Sequence, residues 1–256
     1  MKQTQKQKQP CNKAVAQTTR SAPLRVAIRR HTVSSIKTMP KQFDLIVFDW
    51  DGTLFDSTLL ITQSLQAAAV AIGVPPPSDA RASHVIGLGL IDALRYAMPD
   101  LEEARYRELA EHYRDHYLAR DADLNLFGGV HELIDQLRDA GHMLAVATGK
   151  PRRGLLRAFA ASGLGPKFHG SRCADECQSK PHPQMLEELF TEFGVNASSV
   201  LMIGDTTHDM LMASNAGCAG LGVTYGAHSH ETLLTAAPLH CVDSIPELST
   251  WLQKNA

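Results

Sequence analysis

Short apolar runs rich in β-formers recur along the chain. They lie at Phe43–Asp49, Met143–Thr148, Val200–Gly204 and Ala219–Val223, with a weaker one at Leu239–Val242. The runs are mainly apolar and do not alternate regularly with polar residues, which is the pattern of strands buried on both faces of a parallel sheet. Helical patterns fall between them at Val130–Ala140, Gly154–Ser162, Pro183–Phe193, Asp209–Ala216 and Ile245–Lys254. Such alternation predicts an α/β fold with a doubly wound, Rossmann-like parallel sheet. In that architecture ligands bind outside the carboxyl ends of the strands, near the point where the strand order reverses.

One stretch breaks the alternation. Ser57–Ile72 reads as a helix with Leu60, Ile61, Leu65 and Ala68 on one face, stopped by the Gly73–Pro77 segment. Ile91–Met98 and Leu101–Arg120 again read as helices, with no strand between them. The pattern predicts an all-helical subdomain over 57–126, inserted into a core made of 41–56 and 127–256. The charge-dense segment 101–120 reads as a solvated outer face.

Composition narrows the function classes. The chain has 25 Lys+Arg against 27 Asp+Glu and a formal net charge of −2. Nine of the basic residues and none of the acidic ones fall in 1–40, so the remainder carries sixteen basic and 27 acidic residues. An acidic body disfavours a broad nucleic-acid-binding face. Segment 1–40 reads as a basic, disordered extension, or as sequence upstream of a start at Met39. Its acid-free, Arg-bearing composition also fits an organellar targeting segment or an RNA-binding arm. No apolar run approaches the roughly 20 residues of a membrane span. The five cysteines are odd in number and lack a framework spacing, which fits reduced thiols in a cytoplasm. Cys173 and Cys177 could form half a metal site, but no second pair completes it.

The strand ends concentrate the chemistry. The first run closes in Asp49-Trp50-Asp51-Gly52-Thr53, where Gly52 lets the chain turn and lift Asp51 from the sheet. The second closes in Thr148-Gly149-Lys150. Ser179-Lys180-Pro181 precedes a helix, and the third run closes in Gly204-Asp205-Thr206-Thr207-His208-Asp209. Each element alone has an ordinary explanation: an Asp pair in a turn, a solvated lysine, an Asp capping a helix.

Taken in order and in strand context, the four segments resemble the motifs of the haloacid dehalogenase-like superfamily over residues 43–243. Asp-x-Asp-Gly-Thr stands at 49–53, the strand-end Thr at 148, Lys-Pro at 180–181, and Gly-Asp-x-x-x-Asp at 204–209. The insert after the first motif resembles the helical type 1 cap, and the whole is similar to phosphoglycolate phosphatase-like enzymes. The resemblance implies a Mg²⁺-dependent phosphatase of small phosphorylated metabolites, 2-phosphoglycolate among them. It casts Asp49 as nucleophile, Asp51 as general acid/base, and Lys180 and Thr148 as catalytic groups. Thr148, Gly149 and Lys180 would bind the phosphoryl group; Asp49, Asp51 (through its carbonyl), Asp205 and Asp209 would hold the metal. Thr53 would fix the turn that carries Asp51.

The chemistry agrees with that casting. Phosphate monoesters resist hydrolysis strongly, and covalent catalysis by a carboxylate divides the barrier. A carboxylate and a phosphate repel, so a divalent cation and a lysine are needed to reverse the local field. Within the insert, Ser83–Leu90 reads as a glycine-flanked loop before a helix. Gly87 and Gly89 are candidate substrate contacts there, with Arg81 and His84 as the nearest cations. His208 has no assigned role. Lys150 and Arg152 divide evenly between substrate-facing and solvated readings. Alternatives are a dehalogenase, against which Asp51 counts, a phosphotransferase, a pyrophosphatase or nucleotidase, and a non-catalytic binding module on the same fold. Exposed apolar faces of the insert helices would allow a homo-oligomer.

Overall fold

The computed structural model describes residues 41–123 and 125–256; the basic arm expected over 1–40 lies outside them. The strands are β1 (Leu45–Phe48), β2 (Met143–Thr148), β3 (Gly170–Cys173), β4 (Val200–Gly204), β5 (Ala219–Val223) and β6 (His240–Val242). All pairings are parallel and the sheet order is β3-β2-β1-β4-β5-β6. The chain winds outward from β1 through β2 and β3, then returns to β4 on the other side. The order therefore reverses at β1, and the crevice opens beyond its carboxyl end.

The two-residue period of β1 divides the core. Ile46 and Phe48 face one side with Leu144, Val146, Leu201 and Ile203. Helices α5 (Val130–Asp139), α6 (Arg152–Ser162) and α10 (Ile245–Asn255) cover that side. Leu45 and Val47 face the other side with Ala145, Ala147, Val200 and Met202, under α7 (Gln184–Phe193) and α8 (Thr207–Ala216). A short α9 (His230–Leu234) links β5 to β6. Apolar burial on both faces is what the uninterrupted runs require.

Among the described residues four α-helices separate β1 from α5: α1 (Thr58–Ala71), α2 (Asp79–His84), α3 (Leu90–Ala97) and α4 (Tyr106–Leu118). They bury a cluster of their own around Leu65, Ala69, Val85, Leu94 and Leu109. The chain leaves and re-enters at one seam, where Asp56 N–H donates to Asn125 O and Phe127 N–H donates to Leu54 O.

Three features depart from the sequence expectations. The edge strand β3 reads Gly-Ser-Arg-Cys and buries only Cys173, so it has no apolar run to signal it. Residues 79–84 form α2, where the sequence suggested that the loop began at 83. Segment 101–120 is not only an outer face: α4 buries Tyr106, Leu109, Ala110 and Tyr117, and Tyr117 reaches the site described below. Its charged residues mask an apolar stripe at three- and four-residue spacing.

Candidate active site

Asp49 is the first residue beyond β1. Its N–H donates to Ile203 O at 2.8 Å, and its side chain is fully buried. The chain then turns. Leu54 and Phe55 N–H groups donate to Trp50 O, and Gly52 adopts φ +78°. A Cβ at Gly52 would stand 2.1 Å from Asp205 Oδ2, so only glycine lets this turn approach the end of β4.

Asp49, Asp205 and Asp209 converge, with one carboxylate oxygen of each within 4.8 Å of the others. All three are fully buried. Thr53 Oγ1 donates to Asp205 Oδ1 at 2.9 Å and Ala227 N–H to Oδ2 at 2.7 Å. Thr53 thus orients Asp205, a contact across the sheet that adds to its expected place in the turn. Asp209 is the third residue of α8 and closes a capping box: Thr206 N–H and Oγ1–H donate to its Oδ2 at 3.1 and 2.6 Å. Its other oxygen, Oδ1, faces Lys180 Nζ at 2.7 Å. The N-cap position that the sequence offered to Asp209 belongs to Thr206; Asp209 is the capping-box partner at the third helical residue and also faces Lys180.

Lys180 Nζ also lies 2.7 Å from Asp49 Oδ1, with both side chains at zero exposure. This contact is an ion pair without hydrogen-bond alignment, and Asp49 Oδ2 has no partner among the described residues. Burial pushes the Asp49 carboxyl well above the usual carboxylate range; Lys180 opposes that, while Asp209 and Asp205 reinforce it. Burial likewise raises Asp205, to about 7, with Asp209 adding to the effect. Burial would lower Lys180, but Asp209 and Asp49 outweigh it and hold the ammonium above its ordinary value.

Three buried carboxylates against one lysine leave excess negative charge, and Asp49 Oδ2 is a buried acceptor without a donor. Oxygen-only ligands, excess negative charge and an orphaned carboxylate oxygen fit a hard divalent cation of the Mg²⁺ kind.

Asp51 stands apart from this trio. Its Oδ1 accepts from Ser57 Oγ at 2.5 Å and lies 3.0 Å from Lys150 Nζ. Ser57 is the N-cap residue of α1, yet its hydroxyl makes no cap bond and serves Asp51. Lys150 Nζ also donates to Tyr117 Oη at 2.9 Å. Lys150 therefore faces the site. Arg152, undecided in the sequence, pairs instead with Glu176 at 2.6 Å, away from the carboxylates.

Thr148 is buried at the tip of β2, where its Oγ1 accepts Lys150 N–H at 3.2 Å. Its hydroxyl hydrogen has no protein acceptor among the described residues. The insert loop sits directly over these groups. A Cβ at Gly87, which has φ +91°, would lie 3.8 Å from Asp49 Oδ2. A Cβ at Gly149 would meet Leu88 O at 2.4 Å. Gly89 N–H donates to Ser179 Oγ at 2.8 Å, which anchors the loop to the core and commits that amide. Arg81 is exposed and lines a separate cleft beside Pro75–Pro77. The His84 ring stacks on His228 at 5.0 Å, and its carbonyl meets His208 Nε2 at 2.7 Å and His228 Nε2 at 3.2 Å. His208, unassigned from sequence, thus ties α8 to the insert.

Sequence reasoning missed Ser57, Tyr117, Ser179 and His228. Only the Thr206-x-x-Asp209 capping box carried a local signal for any of the additional contacts.

No helix among the described residues is long and apolar enough to cross a membrane. Residues 46–223 match the family model described as haloacid dehalogenase-like hydrolase. A 5'-nucleotidase of Pseudomonas aeruginosa is 36% identical over 77% of this chain and 90% of its own length. A phosphoglycolate phosphatase of Vibrio parahaemolyticus is 34% identical over 80% of this chain and 93% of its own. Among solved structures, a Haemophilus somnus protein described as a predicted phosphoglycolate phosphatase superposes with a TM-score of 0.73 at 27% identity, covering 83% of this chain and 99% of that one. Strand order, carboxylate cluster and sequence relatives agree: the chain belongs to the haloacid dehalogenase-like hydrolase family, among its phosphatases.

Proposed function

We propose that the protein hydrolyses small phosphorylated metabolites through an aspartyl-phosphate on Asp49, with Mg²⁺ as cofactor. The observation that carries this reading is Asp49 itself: a buried carboxylate with one oxygen held by Lys180 and the other free. Asp49 Oδ2 attacks phosphorus and the ester P–O bond breaks. The leaving alkoxide takes a proton from Asp51. Asp51 then removes a proton from water, which attacks the same phosphorus; phosphate leaves and the Asp49 carboxylate is restored. Thr148 and the Gly149 amide bind phosphoryl oxygens, and Lys180 neutralises charge on the nucleophile and the transferred group. Asp49, Asp205, Asp209 and the Asp51 carbonyl would hold the cation, which supplies charge neutralisation between nucleophile and phosphate when bound.

Residues 57–126 serve as a cap on a core of 41–56 and 127–256, with Gly87 and Gly89 in the loop that closes over the substrate. The relatives named for phosphoglycolate and for 5'-nucleotides mark two candidate esters. A reducing cytoplasm suits the free thiols at Cys173, Cys177, Cys218 and Cys241. Leu59 and Val70, exposed on α1, offer a surface for a homo-oligomer. The deciding experiment is phosphate release from a panel of phosphate esters, with and without Mg²⁺. Release must depend on Mg²⁺ and vanish in Asp49→Asn; an Asn variant with unchanged turnover overturns the mechanism.

A further inference from the structure

We infer that the substrate's alcohol is a bulky, ring-sized body with an apolar face, and not a two-carbon acid. The inference rests on the phosphatase reading above and concerns the same site. A cavity of about 380 Å³ opens beside Asp51, between the insert and the loop after β2. Ile61, Leu65, Leu90 and Leu94 supply its insert wall, with Tyr113 and Tyr117 beside them. Cavities of roughly 300–1,000 Å³ with apolar walls and few polar groups enclose ligands of ring-bearing size. A two-carbon hydroxy acid occupies about 100 Å³, the share of some three waters at ~30 Å³ each. It would leave most of the cavity empty against aliphatic walls.

Charge argues in the same direction. A second carboxylate on the substrate would be favoured by a free cation inside the cavity. Lys150 is already committed to Asp51 and Tyr117. Arg157 faces Asp121 at 3.7 Å, and Arg114 and Arg153 are exposed at the mouth. No buried, unpaired cation lines the inner cavity among the described residues. The inner end suits an apolar body, and the outer end suits an acceptor group that meets Arg114 or Arg153.

Three primary-alcohol esters test this without a large change in leaving-group basicity: benzyl phosphate, ethyl phosphate and 2-phosphoglycolate, each with Mg²⁺ and the full chain. Benzyl phosphate should exceed both others in kcat/KM by about tenfold or more. Leu118→Trp narrows the cavity from a half-exposed position on α4, and Leu90→Trp narrows it from α3. Each should lower the benzyl-to-ethyl ratio of kcat/KM at least about tenfold. A preference for 2-phosphoglycolate, or a ratio unmoved in both variants, overturns the inference and leaves the phosphatase reading standing. Failure to hydrolyse any ester overturns that reading and this inference with it.

Discussion

Lys150 Nζ lies 3.0 Å from Asp51 Oδ1 and, by its hydrogen bond to Tyr117, joins that carboxylate to α4 of the insert. Ser57, at the seam where the insert leaves the core, holds the same oxygen at 2.5 Å. The proposed general acid is therefore oriented from two sides by residues that belong to the insert or touch it. Opposite charge at this distance also holds the Lys150 ammonium above its ordinary pKa, against the lowering effect of burial.

Lys150→Met should release Asp51 from that geometry. General acid catalysis contributes roughly 10²–10⁴-fold, and loosening it should remove about 10- to 100-fold in kcat/KM for alkyl phosphates. Aryl phosphates, whose leaving groups need little protonation, should lose much less. Steady-state kinetics on paired alkyl and aryl esters separate the cases. Equal losses would mean that Lys150 does not act through the acid.

Lys180→Met would strand two buried carboxylates, Asp49 and Asp209. Breaking a buried ion pair costs about 3–5 kcal/mol. For a chain of this size that corresponds to a fall in Tm of roughly 10 °C, read by thermal denaturation in EDTA. Activity should fall below detection in the same variant.

Magnesium should raise the melting temperature of the unaltered protein. A ligand at a hundred times its Kd adds about 2.7 kcal/mol, here roughly 5–10 °C. EDTA should reverse the increase. Asp205→Asn should abolish it, because the carboxylate cluster then loses one of its three charges.

Gly149→Ala forces a methyl group to within 2.4 Å of Leu88 O and 2.5 Å of Gly87 O, both backbone atoms. The insert loop must retreat. A displacement near 1 Å at a reacting centre can cost about 10²-fold, so kcat/KM should fall by that order. Near-native circular dichroism would separate this from unfolding.

Cys173 is fully buried at the end of β3, and burial pushes its thiol up to about 12. A raised thiol pKa leaves the neutral, unreactive form dominant at neutral pH. Peptide mass spectrometry after treatment with a disulfide reagent should find Cys173 unmodified in the native protein. The same residue should be modified after denaturation.

Much of the fold was legible because its signals are local. LIVF at β1 and MLAVAT at β2 need only be apolar on both faces, and each is followed by turn residues. β3 was not legible, since a four-residue edge strand of Gly, Ser, Arg and Cys carries no such run. In α4 the dense charge concealed Tyr117, whose importance lies in a partner 33 residues away.

The sequence by itself determined which acidic, hydroxyl and lysine residues follow the strands. Strand period, the Gly52 turn and the residues inside each motif follow from positions close to one another in the chain. Tertiary structure alone decided which groups meet. Thr53 reaches Asp205 across 152 residues, and Lys180 bridges Asp49 and Asp209. The cavity walls come from an insert whose own pattern says nothing of what it covers. Those relations arise from β4 pairing beside β1 and from the insert closing over both, and long-range packing of that kind leaves no periodic trace in the chain.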